Sequence, residues 1–217
     1  YKGLGTSTAT EAREYFKNMS HNTIGYAWDA STDEALELAF KKENADKRKS
    51  WILEGIEHGE INERTKSIEF SNFVHKDLIW FSIADVVRSI PSMVDGLKPS
   101  QRKVLYACRK RENKEIKVSQ LAGYISTNTS YHHGEQSLMG TVIGMAQDYV
   151  GSNGINLLEP KGQFGSRLMG GKDAASPRYI FTRLSKEAEK LFRIEDNSLL
   201  KYLDDDGMSI EPQHYYP

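Results

Sequence analysis

The sequence predicts an α+β fold in which helices lead into a short, glycine-rich β region. Two observations carry this. Beyond residue 98, apolar residues recur at helical spacing in successive segments, and from residue 155 the pattern changes to short apolar runs separated by glycine and proline. The chain has 217 residues, 38% hydrophobic and 27% charged. That suits a globular protein with a real core, built as one large domain or two small ones.

The elements follow in order. Residues 1–9, YKGLGTSTA, read as a glycine-containing turn ending in hydroxyl residues. Thr8 or Thr10 can cap a helix over 11–19, with Glu11 and Glu14 in its first turn. Residues 22–28 are short and irregular or strand-like. Residues 32–54 read as one helix, with Ala35, Leu36, Ala39 and Phe40 on one side and a basic close at Lys47-Arg48-Lys49-Ser50-Trp51. Residues 55–67 are polar, contain Gly55 and Gly59, and read as a linker. Residues 71–80 read as a short helix capped by Ser71, and a new unit starts near Phe81.

Residues 86–97 read as an extended stretch broken by Pro91 and Gly96, with Asp95-Gly96 as a turn whose aspartate pairs with a nearby cation. Pro99 opens a helix at a position where its missing N–H costs little. Lys98, Arg102 and Arg109 share one face of it, while Val104, Leu105 and Cys108 point to the core. A second helix over 118–126 carries Val118, Leu121, Ala122 and Ile125 at core spacing, and a third over 134–150 turns Leu138, Val142, Ala146 and Tyr149 inward. The β region spans 155–184. It holds a hairpin signal at Pro160-Lys161-Gly162-Gln163-Phe164-Gly165 and a strand from Tyr179 to Leu184. Ser185 caps a helix over 186–192, and the acidic run 195–206 marks another boundary. Two short helices with a tight connection, a third helix and then a β region are the pattern of a winged helix-turn-helix.

Composition narrows the functional classes. A single cysteine, Cys108, excludes a disulfide within the chain and fits a reducing compartment. No apolar run approaches the length of a membrane span, and no signal peptide is visible. The chain begins at Tyr1 and stops at Pro217 without a terminating signal, so it reads as a piece of something larger. The net charge of −1 hides an asymmetry: residues 86–183 carry 14 Lys and Arg against 7 Asp and Glu, a balance of +7, between flanks of −4 each. A positive middle between acidic flanks points to a polyanion-binding surface, although cations also commonly do no more than solvate helix faces.

The most informative stretch runs from Gly170 to Arg183. Two glycines open backbone conformations closed to other residues, and Pro177 fixes its own φ and biases Ser176 toward extended geometry. The result is Arg178 and Tyr179 on a stiff segment, a phenol beside a guanidinium. That pair can attack a phosphate while gripping its oxygens. The chain has 11 tyrosines, and most tyrosines only half-bury a ring and find the hydroxyl a partner, so the pair does not decide the matter by itself.

Four segments taken together decide more: RSIPSMVDGLKPSQRKVL at 88–105, SYHHGEQSL at 130–138, GQFGSRLMGGKDAASPRY at 162–179 and YKGLGTSTA at 1–9. In this order and spacing they closely resemble the type IIA DNA topoisomerases, the eukaryotic topoisomerase II branch in particular. The resemblance covers essentially the whole chain. It implies that residues 1–60 are the end of a metal-binding TOPRIM domain and 61–80 a linker. It further implies that 81–192 are a winged-helix DNA-cleavage domain and 193–217 the start of a tower domain.

The resemblance also implies roles. Tyr179 matches the nucleophile that becomes joined to a DNA 5′ end. A free tyrosine ionises only near pH ~10, so it needs activation. Arg178 matches the residue that stabilises the transition state, His133 one that holds a phosphate oxygen, and Arg88 a second phosphate clamp. Without the family, His132 and His133 read as a helix-start pair bonded to backbone. Lys98, Tyr131, Arg48 and Lys49 match DNA-contacting positions, and Lys2, Gln101 and Arg102 are further candidates on that surface. Arg48 and Lys49 read equally well as a solvated helix end.

No metal ligand is expected here. The family binds Mg²⁺ through a glutamate and an Asp-x-Asp group upstream of Tyr1, and Asp204-Asp205-Asp206 read as a solvated turn. ATP is expected on a domain absent from these residues. The implied whole is a nuclear homodimer acting on double-stranded DNA, with each active site shared between subunits, and this piece alone is expected not to cleave. The alternative is a non-catalytic winged-helix DNA-binding module. A third option, archaeal-type strand-cleaving relatives, does not account for the full run of motifs.

Overall fold

The computed structural model of the chain describes residues 7–55, 66–131 and 133–217. The backbone divides into two compact units, Tyr1–Val86 and Val87–Pro217. Among the described residues no helix is long and apolar enough to cross a membrane.

In the first unit, α1 (Ala9–Lys17) starts from a capping box. Thr8 Oγ1 accepts from the Glu11 N–H, and the Glu11 carboxylate accepts from the Thr8 N–H at 2.7 Å. A short turn, α2 (Met19–Asn22), leads to β1 (Gly25–Ala27), which pairs in parallel with β2 (Ser67–Glu69), Tyr26 opposite Ile68. The helix expected over 32–54 is two: α3 (Thr32–Phe40) and α4 (Ala45–Glu54), separated by a 3₁₀ turn over Lys42–Asn44. The break is stabilised from both sides. Asn44 Nδ2 donates to Glu37 O at 3.1 Å, and Arg48 Nη1 donates to Leu38 O at 2.9 Å and Lys41 O at 3.1 Å, satisfying carbonyls that a continuing helix would have used.

Helix α5 (Phe70–Phe73), a π-helical turn over Val74–Leu78 and α6 (Ile79–Ser89) follow without interruption. Ala35, Trp51, Val74 and Ile79 form the small core of this unit. The packed structure begins close behind the expected linker: Ile68, in β2, is buried as well as Val74 and Ile79. The expectation of an extended chain from 86 also gives way, because α6 continues to Ser89. It stops where Pro91 disfavours helical geometry at Ile90.

The second unit is built on α7 (Pro99–Lys110), α8 (Val118–Asn128) and α9 (Glu135–Ala146). Strands β3 (Ile116–Lys117), β4 (Leu158–Lys161) and β5 (Phe181–Leu184) make an antiparallel sheet in the order β3-β5-β4. The expected hairpin at 160–165 does not close there. Instead β4 pairs with β5, Leu158 opposite Leu184 and Lys161 opposite Phe181, across a long glycine-rich loop. Pro160 is tolerated because β4 is an edge strand. Val104, Leu105, Val118, Leu121, Ile125, Leu138, Val142, Leu158 and Ile180 pack into one core at 1% exposure or less. Cys108 lies in that core as a free thiol, and burial pushes its pKa up to about 12.

Ser185 caps α10 (Lys186–Leu191) by accepting from Ala188 N–H at 3.1 Å. The hairpin β6 (Tyr202–Asp205) and β7 (Met208–Pro212) then turns at Asp206 and Gly207, both at positive φ. The boundary expected at 193 brings no break in packing. Glu211 pairs with Lys103 of α7 at 2.9 Å, and the Tyr215 ring is buried in the same core.

Candidate functional site

The glycine-rich loop delivers Arg178 and Tyr179 just ahead of β5. Val118 N–H donates to Ile180 O and Ser119 N–H to Pro177 O, both at 3.1 Å, so the first amides of α8 grip the segment on either side of the pair. These are amides that no intrahelical partner can satisfy, which is why the helix start holds the loop. Tyr179 N–H closes a turn onto Ser176 O at 2.8 Å, and Ile180 is buried at 1%. The backbone is thereby anchored while the phenol stands 73% exposed. The Arg178 guanidinium lies 5.9 Å from the Tyr179 ring centroid. Tyr179 lies just before β5, outside the strand expected to begin with it, and this keeps its side chain out of the sheet.

A cleft of about 630 Å³ in the same unit is lined by Arg88, Lys98, Ser100, Tyr131, His133 and Ser137, among others. Four residues singled out in the sequence, from three separate segments, thus share one concavity. The starts of two 12-residue helices border it: Lys98, Pro99 and Ser100 at α7, and His133 and Ser137 at α9. Helix N-termini carry unsatisfied N–H groups and partial positive charge, so the cleft is suited to anions by backbone as well as side chain. Ser130, at φ 46°, turns the chain between α8 and α9 and sets Tyr131 and His133 on the cleft wall, their rings 5.3 Å apart. Tyr131 belongs mostly to the core, at 8% exposure.

The α6–α7 loop is held by Asp95. Its carboxylate receives Arg102 Nε at 2.7 Å, Arg102 Nη2 at 2.9 Å, Leu97 N–H at 3.0 Å and Tyr215 N–H at 3.0 Å. Burial opposes the charge on Asp95. The hydrogen bonds from Arg102 and from the Tyr215 and Leu97 amides outweigh it and hold the carboxyl below its usual range. This clamp fixes the loop joining Arg88 to Lys98, and it fulfils the sequence expectation that Asp95 pairs with a cation.

The same clamp corrects one expectation. Arg102 is buried and bonded to Asp95 and to Leu97 O, so it is not on a DNA-facing surface. Arg109, expected on the same face, bonds to Arg193 O and Asn197 Oδ1 instead. Gln101 is also engaged: its Oε1 accepts from Lys98 N–H at 2.9 Å, and it lines a separate cavity with Asp95 and Leu97. In the first unit Arg48 is bound to the end of α3, while Lys49 is exposed. Lys2 and His132 lie outside the described residues.

Sequence reasoning misses Lys103, Ser137 and Asp205 on the cleft wall. Lys103 is tied to Thr129 O at 2.5 Å and to Glu211, 108 positions away, a pairing no local pattern reveals. Asp205, expected in a solvated turn, lies at the end of β6 and faces the cleft. Among the described residues no group of three or more His, Cys, Asp or Glu could hold a metal ion. The residues present do not make a divalent-metal site, and no step is derived through one.

Comparison with known proteins places this geometry. The family model described as DNA gyrase/topoisomerase IV matches residues 88–217, which contain both the cleft and the Arg178–Tyr179 turn. The chain belongs to the type IIA DNA topoisomerase family. Residues 1–86 match the model for the C-terminal associated domain of TOPRIM, so this topoisomerase chain joins the two parts in one polypeptide. It is 55% identical over 219 residues to DNA topoisomerase 2 of Arabidopsis thaliana and 52% identical over 231 residues to human DNA topoisomerase 2-beta. All of the chain is covered in both, but only 15% and 14% of those relatives. Among solved structures, the DNA-binding, cleavage and re-ligation domain of Plasmodium falciparum topoisomerase II matches with a TM-score of 0.75 at 47% identity. That match covers all of this chain and 30% of the other.

Proposed function

We propose that this chain supplies the DNA-gripping and strand-cleaving surface of an ATP-dependent type II DNA topoisomerase, with Tyr179 as nucleophile. The observation that carries the reading is the turn at Pro177–Ile180. Its backbone is fixed by two amides of α8, while it presents an exposed phenol beside a guanidinium. A residue that only packed or only bound DNA would gain nothing from that anchoring.

The chemistry follows. The Tyr179 oxygen attacks a backbone phosphorus and loses its proton. The bond from phosphorus to the 3′ oxygen breaks, that oxygen takes up a proton, and a 5′-phosphotyrosyl ester forms. The reverse displacement reseals the strand without further energy input. Arg178 neutralises charge on the pentavalent phosphate as it develops. Arg88, Lys98 and His133, together with the starts of α7 and α9, hold neighbouring phosphates in the cleft and position the duplex. A divalent metal ion, which the family implies, would supply charge stabilisation from residues other than those described here.

The order α7, β3, α8, α9, β4, β5, with β5 between β3 and β4, supports assigning the second unit as a winged helix with the loop between β4 and β5 as its wing. Passage of a second duplex, ATP coupling, Mg²⁺ dependence, a homodimer with shared active sites and a nuclear location extend the same reading and rest on the family resemblance.

The competing reading is a DNA-binding module without chemistry. Tyr179→Phe in the full-length protein separates the two. Affinity for duplex DNA should change by less than about twofold, since most of the electrostatic grip lies elsewhere, while covalent protein–DNA complexes formed with Mg²⁺ should disappear. Undiminished covalent complexes in the variant would remove Tyr179 as nucleophile. An active wild type should yield such complexes, and none at all would favour the module.

A further inference from the structure

The loop that carries Arg178 and Tyr179 is closed at its base by a side chain from outside it. Gln147 lies one residue past the end of α9. Its Nε2 donates to Phe164 O at 2.8 Å and to Gly171 O at 3.4 Å, bridging the outgoing and returning limbs of the loop. Tyr149 Oη donates to Gln147 Oε1 at 3.3 Å, which fixes the amide so that its donor end faces the two carbonyls. Gln147 is itself held through its backbone. Its N–H donates to Ile143 O at 3.1 Å, and its carbonyl accepts from Ser152 Oγ at 3.1 Å and Asn153 Nδ2 at 2.8 Å.

The limbs meet closely at this point. A Cβ on Gly165 would lie 2.5 Å from Gly171 Cα, and one on Gly171 would overlap the Gln147 amide and the Tyr149 hydroxyl. Gly171 N–H donates to Ser166 O at 2.9 Å, Ser166 N–H to Asp173 Oδ1 at 2.7 Å and Ala175 N–H to Gln163 O at 2.9 Å, so the closure continues toward Pro177. Helix α9 thus begins at the phosphate-gripping cleft beside His133 and ends at the latch on the loop, about 18 Å further on at 1.5 Å per residue.

We infer that Gln147 is a positioning residue for strand cleavage: by bridging Phe164 and Gly171 it holds the loop shut and sets where the Tyr179 phenol stands relative to a phosphate gripped in the cleft. The inference rests on the reading of Tyr179 as nucleophile. Gln147 does not line the cleft, so its effect belongs to turnover and not to DNA affinity.

The test uses the full-length protein with Mg²⁺ and a nicked duplex that cannot be religated, following formation of the Tyr179 adduct against DNA concentration. Gln147→Met keeps the length without the donor, and Tyr149→Phe removes only the group that orients the amide. At saturating DNA the adduct rate of Gln147→Met should fall about 10–100-fold, the scale expected of a misplaced reacting group, with the half-saturating DNA concentration unchanged within about twofold. Tyr149→Phe should show a smaller loss of the same kind. The double variant should be no slower than Gln147→Met, because both act through one contact. If Gln147→Met does not fold, Tyr149→Phe carries the test alone. A wild-type saturating rate in the folded variants, or a loss confined to half-saturation, overturns the latch. A wild-type protein that forms no Tyr179 adduct overturns instead the reading on which it rests.

Discussion

Arg102 and Arg178 are both arginines of a basic segment, yet burial gives them opposite work. Arg102 reads in the sequence as a surface cation because it lies one helical turn from Lys98. The spacing is right and the inference wrong, because the loop before α7 folds back and brings the Asp95 carboxylate over it. Helical periodicity registers which side of a helix a residue occupies, not what covers that side. Removing one member of a buried pair strands the other, so Arg102→Ala should destabilise the fold by about 3–5 kcal/mol in chemical denaturation. A loss below about 1 kcal/mol would mean the pair is not the clamp described here. The pH dependence has a definite sign. Asp95 is depressed below its ordinary value of 3.8, so its contribution is complete above that pH and fades as pH falls through the lower folded value. Asp95→Asn, though less stable at neutral pH, should lose less further stability on acidification below about pH 4 than the wild type does. Arg178 sits instead beside the exposed phenol. Arg178→Ala should leave folding intact and lower the cleavage rate at saturating DNA by about 10²–10³-fold, as expected for loss of a donor to a developing charge. An unchanged rate would deny it that role.

The helices of the second unit are legible in the sequence because their apolar spacing coincides with what they bury: Val118, Leu121, Ala122 and Ile125 are all at 0% exposure. The elements that sequence misreads are those fixed by distant partners or by punctuation. Helix α6 continues to Ser89 because nothing before Pro91 stops it. Two glycines after a strand look like a tight hairpin, but the partner of β4 lies beyond the whole loop, and register across so long a connection cannot be read locally. Within that loop the glycines have separate uses. Gly171 sits at φ 79° against Gln147 and Tyr149, so Gly171→Ala meets both backbone strain and overlap. It should cost at least about 2 kcal/mol and slow cleavage more than it weakens DNA binding. A neutral Gly171→Ala in both assays would show that the base of the loop is not closely packed.

Across the whole molecule, the site is legible as a set of segments before it is legible as a place. Arg88, Lys98, Tyr131 and His133 stand out in separate stretches of sequence, and the fold gathers them around one cleft at the starts of α7 and α9. The acid Asp205 and the Lys103–Glu211 pair do not stand out, because they depend on the β6–β7 hairpin returning to α7. The central claim is that Tyr179 carries DNA covalently. The direct test is to incubate the full-length protein with Mg²⁺ and a nicked duplex that cannot be religated, digest it, and identify by mass spectrometry the peptide bearing nucleotide. A 5′-linked adduct on Tyr179, absent in Tyr179→Phe, is the predicted result. An adduct on another tyrosine, or stable DNA binding with no adduct, would contradict it.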